Sequence, residues 1–245
     1  MTKIEVKMEK TYVLGVPVNI TSYSEIISNI DNAIKHNEKY SIVSINLNKV
    51  IQSNEDSNMM EIIKSFDCFI PDGISVVRAS KKLNDRITGI DLFEQICKEH
   101  FNLNAKIFLY GATQEVVETA KLKLEEKYNG INIVGTENGF VKDNINLINK
   151  INLSKANVIF VAMGSPNQEK WIYNNKEKLN VNIFMGVGGS FDVISGKIKR
   201  APKLIRKLGL EWLYRMLNQP KKRFKNIFLQ FKYWYKLKNN RKKEI

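Results

Sequence analysis

Several residue types that carry chemistry are scarce in this chain of 245 residues. The two cysteines, Cys68 and Cys97, sit on apolar segments, and we expect both to be reduced core residues of a cytosolic protein. The two histidines, His36 and His100, each lie near the end of a helix-like segment, where a surface position is expected rather than a catalytic one. No CxxC or HxxH pattern occurs, so the sequence does not indicate a zinc site.

Long apolar runs and common nucleotide signatures are also missing. The longest apolar run, about Val158–Gly164, is far shorter than the ~20 residues of a membrane span, and the first ten residues lack the apolar core of a signal peptide. No GxxxxGK(S/T) loop occurs, and no GxGxxG follows the first strand. No DxD pair is present, which argues against a metal-dependent sugar transferase. We therefore expect a cytoplasmic protein that uses neither a metal nor a cofactor.

Positive charge, in contrast, is abundant and unevenly placed. The net charge is +14, and residues 197–245 hold 17 of the 39 Lys and Arg residues but two of the 25 acidic residues. The remaining 196 residues sum to about −1. A basic tail of this kind binds nucleic acid or an anionic membrane surface.

A helix predicted over Lys221–Lys238 gives this tail two unlike faces. The apolar face consists of Phe224, Ile227, Phe228, Phe231, Trp234 and Tyr235. Basic residues fill most of the remaining positions: Lys221, Lys222, Arg223, Lys225, Lys232, Lys236 and Lys238. The aromatic face either packs on the protein's own core or lies on an anionic bilayer. A nucleic-acid role is the weakest alternative, because no helix-turn-helix, RNP or zinc-ligand pattern supports it.

Strand and helix signals alternate along the chain. The predicted strands are the hairpin Tyr12–Ile20, then Tyr40–Ile45, Phe66–Ile70, Ala105–Tyr110, Ile131–Val134, Asn157–Met163 and Val181–Val187. The predicted helices run from a Ser22–Glu25 capping box to Asn37, then Leu47–Asn54, Ile74–Lys82, Thr88–Phe101, Gln114–Tyr128, Asp143–Asn152, Asn167–Lys178, Pro202–Leu217 and Lys221–Lys238. This order predicts an α/β, Rossmann-like core over residues 1–196, with a mostly parallel sheet and helices on both faces. Residues 197–245 form a basic helical C-terminal appendage.

Polar side chains follow two of the predicted strands, at the edge where open α/β sheets bind ligands. Asp72, in the turn Pro71-Asp72-Gly73, is placed to act as a general base or serves as a simple turn residue. Ser44 and Asn46 orient a substrate hydroxyl or amide, or else cap the next helix.

Two glycine-containing segments follow later strands. Gly164–Glu169 combines a tight turn with a helix N-terminus, which suits phosphate or sugar oxygens, and Gln168 adds an uncharged hydrogen-bonding side chain. The glycines at 186, 188 and 189 serve either close ligand approach or packing. Asp192 holds a sugar hydroxyl or caps a turn. If a diphosphate leaves during a reaction, the basic residues available to neutralise it are Arg200, Arg206, Arg215, Lys222, Arg223 and Lys225.

Taken together, these motifs resemble the WecG/TagA/CpsF family of bacterial glycosyltransferases, nearest to its TagA/TarA branch. The resemblance covers about residues 10–225 and rests on the order and spacing of seven motifs. They are PDG at 71–73, Arg86 with TGIDL at 88–92, FLYGA at 108–112, GSPNQE at 164–169, GVGGSFDVISG at 186–196, RAP at 200–202 and GLEWLYR at 209–215.

The resemblance implies a reaction and a location. It implies inverting, metal-independent transfer of a sugar from a UDP donor to a polyprenyl-diphosphate-linked sugar by an enzyme peripheral on the inner face of the cell membrane. In the TagA branch the donor is UDP-N-acetylmannosamine and the acceptor is N-acetylglucosaminyl-diphospho-undecaprenol, which yields the linkage unit of wall teichoic acid. Other members transfer N-acetylmannosaminuronate or glucose for exopolysaccharides. A homo-oligomer is left open, and no nucleic-acid partner is implied.

The resemblance also implies roles for individual residues. Asp72 would be the base, assisted by Ser44 and Asn46, and Ser44 stands where the family carries threonine. Substrate contacts would come from Gly164, Gln168, Glu169, Gly188, Gly189, Asp192, Arg86, Arg200, Arg215, Lys222, Arg223 and Lys225. Several of the tail lysines stand where relatives tend to carry arginine, so the charge is kept while the bidentate fork is lost.

Overall fold

The computed structural model of the protein describes residues 8–207, 211, 214 and 227–243. The strands are β1 (Lys10–Val13), β2 (Val16–Asn19), β3 (Tyr40–Ile45), β4 (Cys68–Pro71), β5 (Lys106–Gly111), β6 (Asn132–Glu137), β7 (Val158–Ala162) and β8 (Ile183–Gly186). The helices are α1 (Tyr23–Lys35), α2 (Leu47–Glu55), α3 (Ser57–Lys64), α4 (Ile74–Val77), α5 (Gly89–Lys98), α6 (Gln114–Lys127), α7 (Asn144–Leu153), α8 (Asn167–Asn175), α9 (Ser190–Ile194), α10 (Lys203–Lys207) and α11 (Ile227–Lys243).

Six strands form one parallel sheet in the order β4-β3-β8-β7-β5-β6. Parallel neighbours require long crossover connections, and helices supply them here. The remaining strands, β1 and β2, pair as the antiparallel hairpin expected around Gly15. The predicted α/β fold with a mostly parallel sheet is therefore confirmed.

The sheet is buried on both faces, which explains its continuously apolar strands. Every residue of β7 is buried, and successive side chains alternate between two apolar layers: Ile159 packs into one and Phe160 into the other. Helices α2, α3, α7 and α8 and the hairpin cover the first layer, and α1, α5 and α6 cover the second. The core thus leaves the two ends of the parallel strands, rather than their faces, for function.

Local capping signals explain several helix starts. Ser22 and Glu25 form the predicted capping box at the start of α1. The helix Ser57–Lys64 was missed, although the Asp56 carboxylate caps it and its Met59 and Ile62 are buried. Its predecessor α2 ends at Glu55, and the polar run between the two helices conceals the boundary in the sequence.

One predicted helix is too long. The pattern over Ile74–Lys82 suggests two turns, but α4 ends at Val77. The chain then turns, because the Ala79 N–H donates to the Val76 carbonyl and the Ser80 hydroxyl contacts that of Thr11 on the hairpin. Contact with the hairpin therefore replaces the second turn of the helix.

Helix α11 lies against α2 and α4 through one of its faces. Tyr233 and Leu237 are buried, and the Tyr233 hydroxyl donates to Glu55 Oε1 at 2.6 Å. Burial, together with the hydrogen bond and charge of Glu55, raises the pKa of Tyr233 to about 12. Near the start of α11, Gln230 Nε2 donates to Asn48 Oδ1 at 3.1 Å. The helix therefore packs on the core through Tyr233 and Leu237, neither of which belongs to the predicted aromatic face.

The other face of α11 points away from the core. Phe231, Trp234 and Tyr235 are 64%, 47% and 66% exposed, and Lys232 and Lys236 are also exposed. Residues 221–226, where the predicted helix begins, lie outside the described residues, as does half of the predicted helix Pro202–Leu217, of which α10 is a part. Within the described residues, no helix combines the length and apolar character needed to cross a membrane. The division into 1–196 and 197–245 stays a prediction.

Candidate active site

The carboxyl ends of four adjacent strands gather most of the predicted site residues. Because β4, β3, β8 and β7 are parallel neighbours, the turns that follow them meet at one edge of the sheet. Asp72 follows β4, Asn46 follows β3, Gly188 follows β8 and Gly164 follows β7. This is the edge at which open α/β sheets place their ligands.

Asp72 is held in a defined turn. Its backbone N–H and that of Gly73 both donate to the Ile45 carbonyl, at 3.0 and 3.2 Å, which fixes the turn beside the end of β3. The half-buried carboxylate accepts a hydrogen bond from the Gly89 N–H at 3.3 Å. Gly89 is the first residue of α5, so the positive end of that helix faces the carboxylate. Asp72 therefore presents an oriented carboxyl group at the sheet edge.

Ser44 and Asn46 lie next to this turn in different roles. Ser44 is buried within β3, and its hydroxyl faces Gly89, where a Cβ atom would lie only 2.6 Å from Ser44 Oγ. Asn46 is the N-cap of α2, and its Oδ1 accepts from the Lys49 N–H at 3.2 Å. The capping alternative for Asn46 is thus confirmed, and any substrate contact would come from its amide nitrogen.

Gln168 joins two of the glycine-containing turns. The side chain is 3% exposed, its Oε1 accepts from the Gly188 N–H at 2.9 Å, and its Nε2 donates to Glu169 Oε1 at 2.8 Å. The two ends of this amide therefore hold the protein's own loops together. A role in positioning the turn at Gly188 follows directly from this geometry.

Glu169 belongs to a buried ion pair that the sequence did not reveal. Lys49 Nζ lies 3.0 Å from Glu169 Oε1, and both side chains are almost fully buried. Burial alone would raise the pKa of the Glu169 carboxyl, but the Lys49 charge and the Gln168 hydrogen bond hold it below its usual value. No signal in the sequence marks Lys49, because its position in the predicted helix lies away from the apolar residues Val50 and Ile51.

The remaining glycines and Asp192 shape the turns. Gly164 and Gly188 adopt positive φ angles of 74° and 55°, and a Cβ atom at Gly164 would meet nothing within 4 Å, so open space lies beside it. Gly189 lies close to the half-buried Asp192, whose carboxylate would come within 3.7 Å of an added Cβ atom. Asp192 belongs to the first turn of α9. Close approach to the backbone is thus possible at the end of β7.

Two predicted arginines attach the start of the basic segment to the core. Arg200 Nη2 lies 2.5 Å from Asp91 Oδ1 in the first turn of α5, and Arg86 Nη2 donates to the Arg206 carbonyl at 3.2 Å. Partial burial would raise the pKa of the Asp91 carboxyl, but hydrogen bonds from Thr88 and Arg200, with the charges of Arg200 and Arg206, bring it below its usual value. These cations therefore lie on the same helix end as Gly89, the partner of Asp72.

The other predicted cations are Arg215, Lys222, Arg223 and Lys225, and they lie outside the described residues. Among the residues that the structure describes, no group of three or more His, Cys, Asp or Glu side chains is arranged to hold a metal ion. The described site thus consists of one oriented carboxylate, hydroxyl and amide groups, glycine turns and nearby guanidinium groups.

This arrangement places an oriented carboxylate and glycine turns at the ligand-binding edge of an α/β fold, and the comparisons identify the class of enzyme as a glycosyltransferase. The chain belongs to the glycosyl transferase WecG/TagA/CpsF family, whose model matches residues 11–244. A Bacillus subtilis (strain 168) protein named N-acetylglucosaminyldiphosphoundecaprenol N-acetyl-beta-D-mannosaminyltransferase is 35% identical over 205 residues, 80% of each chain. A Staphylococcus aureus (strain NCTC 8325 / PS 47) protein of the same name is 35% identical over 215 residues, 85% of this chain and 84% of that one. The family resemblance is thus confirmed.

Proposed function

We propose that this protein is an inverting, metal-independent N-acetylmannosaminyltransferase. It transfers N-acetylmannosamine from UDP-N-acetylmannosamine to N-acetylglucosaminyl-diphospho-undecaprenol, in synthesis of the wall teichoic acid linkage unit. The observation that carries the proposal is the position of Asp72 beside Ser44 and Asn46, at the edge that also holds the glycine turns. The names of the two relatives supply the donor sugar and the acceptor.

In the proposed reaction Asp72 acts as the general base. Its carboxylate takes the proton from the attacking hydroxyl of the acceptor while that oxygen bonds to the anomeric carbon of the donor. The bond from the anomeric carbon to the UDP oxygen breaks in the same step, which inverts the anomeric centre. The Gly89 N–H orients the carboxylate for this transfer, since it holds one of its oxygens. Ser44 and Asn46 orient the acceptor, and the turns at 164–169 and 186–192 cradle the nucleotide sugar.

The departing UDP carries charge that basic side chains must stabilise. Arg200 and Arg86 lie beside the first turn of α5, which also holds the Asp72 partner Gly89. The proposed cations from the tail are Arg215, Lys222, Arg223 and Lys225. Guanidinium and ammonium groups aimed at a leaving diphosphate replace the charge stabilisation that a metal ion supplies in other transferases. The sequence has no DxD pair for such an ion.

The experiment that tests the function measures UDP release by the purified protein. The reaction contains UDP-N-acetylmannosamine, a short-chain lipid-diphospho-N-acetylglucosamine acceptor and EDTA. Acceptor-dependent release of UDP supports the reaction class, the donor and metal independence together. Release only from UDP-glucose or from the N-acetylmannosaminuronate donor would contradict the proposed sugar, and release only after a metal is added back would contradict metal independence.

The Ser44 hydroxyl is tested by a substitution at its neighbour. In Gly89→Ala the new Cβ atom would lie 2.6 Å from Ser44 Oγ and displace it, so we expect turnover to fall at least about tenfold. The double variant Gly89→Ala/Ser44→Ala removes the clash and the hydroxyl together. If the double variant and Ser44→Ala alone both melt like wild type and stay slow, the hydroxyl itself serves turnover. If the double variant regains the wild-type rate, Ser44 has no role in the reaction.

We propose that α11 holds the enzyme at an anionic membrane surface on the cytoplasmic side, where the lipid acceptor lies. Its exposed aromatic residues Phe231, Trp234 and Tyr235 alternate with exposed lysines, and its opposite face is already buried against the core. Aromatic rings favour the interfacial zone of a bilayer, and lysines favour anionic headgroups. The helix can therefore face the membrane with one side while its other side stays packed against α2 and α4.

We expect the triple variant Phe231→Ser/Trp234→Ser/Tyr235→Ser to bind anionic vesicles at least about tenfold more weakly than wild type, because three rings lose their interfacial contact. Cosedimentation with vesicles measures this. Phe101→Ser is the matched control, since that ring is 85% exposed but lies on the α/β core. Unchanged vesicle binding by the triple variant, or tight and salt-steep binding of nucleic acid by wild type without vesicle binding, would contradict the proposal.

A further inference from the structure

Lys49 and Glu169 form a buried ion pair that spans the end of strand β8. Lys49 lies in the first turn of α2, which follows β3, and Glu169 lies in the first turn of α8, which follows β7. In the sheet, β8 stands between β3 and β7. The side chains are 4% and 1% exposed, with 3.0 Å between Lys49 Nζ and Glu169 Oε1. The pair therefore links two neighbouring turns across the turn that follows β8.

Two hydrogen bonds of Gln168 connect the ion pair to the backbone of that third turn. Gln168 Nε2 donates to Glu169 Oε1, and Gln168 Oε1 accepts from the Gly188 N–H. An added Cβ atom at Gly186 would lie 2.5 Å from Gln168 Nε2 and 2.9 Å from its Cδ, so the amide is clamped against bare backbone. Gln168 thus has little room for another rotamer.

The charge of Glu169 and the N–H of Gly188 together set the direction of this chain. An ionised carboxylate only accepts hydrogen bonds, so the Gln168 amide must turn its nitrogen toward Glu169 and its oxygen toward Gly188. Lys49 is the cation that keeps the carboxylate ionised inside the protein. A neutral partner at Glu169 would weaken this polarity, because an amide or a protonated acid both donates and accepts, and the N–H of Gly188 alone would then orient the amide.

Only the backbone of Lys49 contacts the acceptor side of the site, so replacing its side chain leaves that contact in place. Its backbone N–H donates to Asn46 Oδ1 at 3.2 Å, and Asn46 follows the strand beside Asp72. Replacing a buried ion pair by apolar residues of similar volume often leaves stability unchanged or raised, so stability alone does not account for burying two charges here. Fixing one arrangement of neighbouring turns is a function that such a pair can serve.

We propose that Lys49 is a positioning residue that, through Glu169 and Gln168, fixes the turn at Gly188 for the diphosphate of the donor. The proposal rests on the proposed function insofar as it places a UDP donor at these turns. Lys49 does not touch the substrate, and Glu169 acts only through Gln168. The N–H of Gly188 is engaged by Gln168, so the effect is on the shape of the turn rather than on a hydrogen bond donated by that group.

The test compares wild type with the neutral variant Lys49→Met/Glu169→Gln in the full chain. Calorimetry with UDP alone measures nucleotide affinity, and steady-state kinetics measures KM for donor and acceptor. We expect the Kd for UDP and the KM for the donor to rise at least fivefold, with the KM for the acceptor within twofold and the melting temperature close to wild type. The single variant Lys49→Arg keeps the positive charge beside Glu169, so its Kd for UDP should stay within about threefold of the wild-type value.

A matched control and a second variant keep the outcome decisive. Lys35→Met/Asp31→Asn removes an exposed ion pair on α1 and should leave UDP affinity unchanged. If the neutral variant at 49 and 169 does not fold, Gln168→Met breaks the link and leaves the ion pair in place, and it should show the same loss of UDP affinity. Wild-type UDP affinity in either folded variant would overturn the proposal.

The proposed function and the role of Lys49 fail in different ways. If wild type binds UDP but releases none from UDP-N-acetylmannosamine, the donor sugar is wrong, and the calorimetric comparison still decides the role of Lys49. If wild type does not bind UDP at all, both proposals are overturned.

Discussion

Replacing Asp72 by asparagine is expected to lower turnover by about 10²–10⁴-fold, the range over which a positioned general base accelerates proton transfer. Asparagine keeps the shape of the side chain and an oxygen that accepts the Gly89 N–H, so the turn after β4 should persist. The proton acceptor is lost while the fold is kept. Acceptor-dependent UDP release, measured at saturating donor and acceptor, gives the change in kcat.

The control for this substitution is Asp31→Asn. Asp31 forms an exposed ion pair with Lys35 on α1, so its loss changes the net charge by the same amount without touching the sheet edge. Exposed pairs contribute about 0–1 kcal/mol to stability, and the control should keep its rate and nearly its melting temperature. A wild-type rate in Asp72→Asn would show that another group takes the proton.

Replacing Gly111 by alanine is expected to destabilise the protein by about 4 kcal/mol or more, which is exceptional for a single methyl group. Gly111 ends β5 with a φ of 127°, and an added Cβ atom would overlap the carbonyl oxygen of Ala162 on β7. The clash involves the backbone of β7, so no side-chain rotation relieves it. Chemical denaturation followed by circular dichroism measures the free energy of unfolding.

Gly130→Ala separates the backbone conformation from the clash. Gly130 has a φ of 76°, but an added Cβ atom would meet nothing within 4 Å. The expected cost is the strain of an alanine in the left-handed region, about 1–2 kcal/mol. If both variants lose the same free energy, the close approach of β5 to β7 does not limit the residue at 111.

The order of strands and helices could be predicted from the sequence because each strand is a short buried run that stops at a polar or glycine turn. Asp72, Gln168 and Gly188 were candidates for the same reason, and the parallel order of the strands brings them to one edge. Such signals are local in the chain. They identify candidate ligand-binding turns without specifying which turns touch one another.

Contacts between distant segments could not be predicted in the same way. The partner of Glu169 is Lys49, 120 positions earlier, and nothing near either residue in the sequence selects the other. Arg200 was expected at the substrate, and its ion pair with Asp91 depends on how residue 200 crosses the start of α5. Which face of α11 is buried and which is exposed likewise depends on its packing against α2 and α4.

The packing of α11 against α2 has a thermodynamic consequence. Tyr233 and Gln230 bind Glu55 and Asn48, near the end and the start of the helix that also carries Asn46 as its cap and Lys49 in its first turn. If a bilayer stabilises α11 in its packed position on α2, it also stabilises the arrangement of α2 at the sheet edge. Linkage is reciprocal, so occupancy of that edge would strengthen attachment to the bilayer by the same factor that attachment strengthens occupancy. Affinity for the lipid surface would then depend on whether substrate is bound.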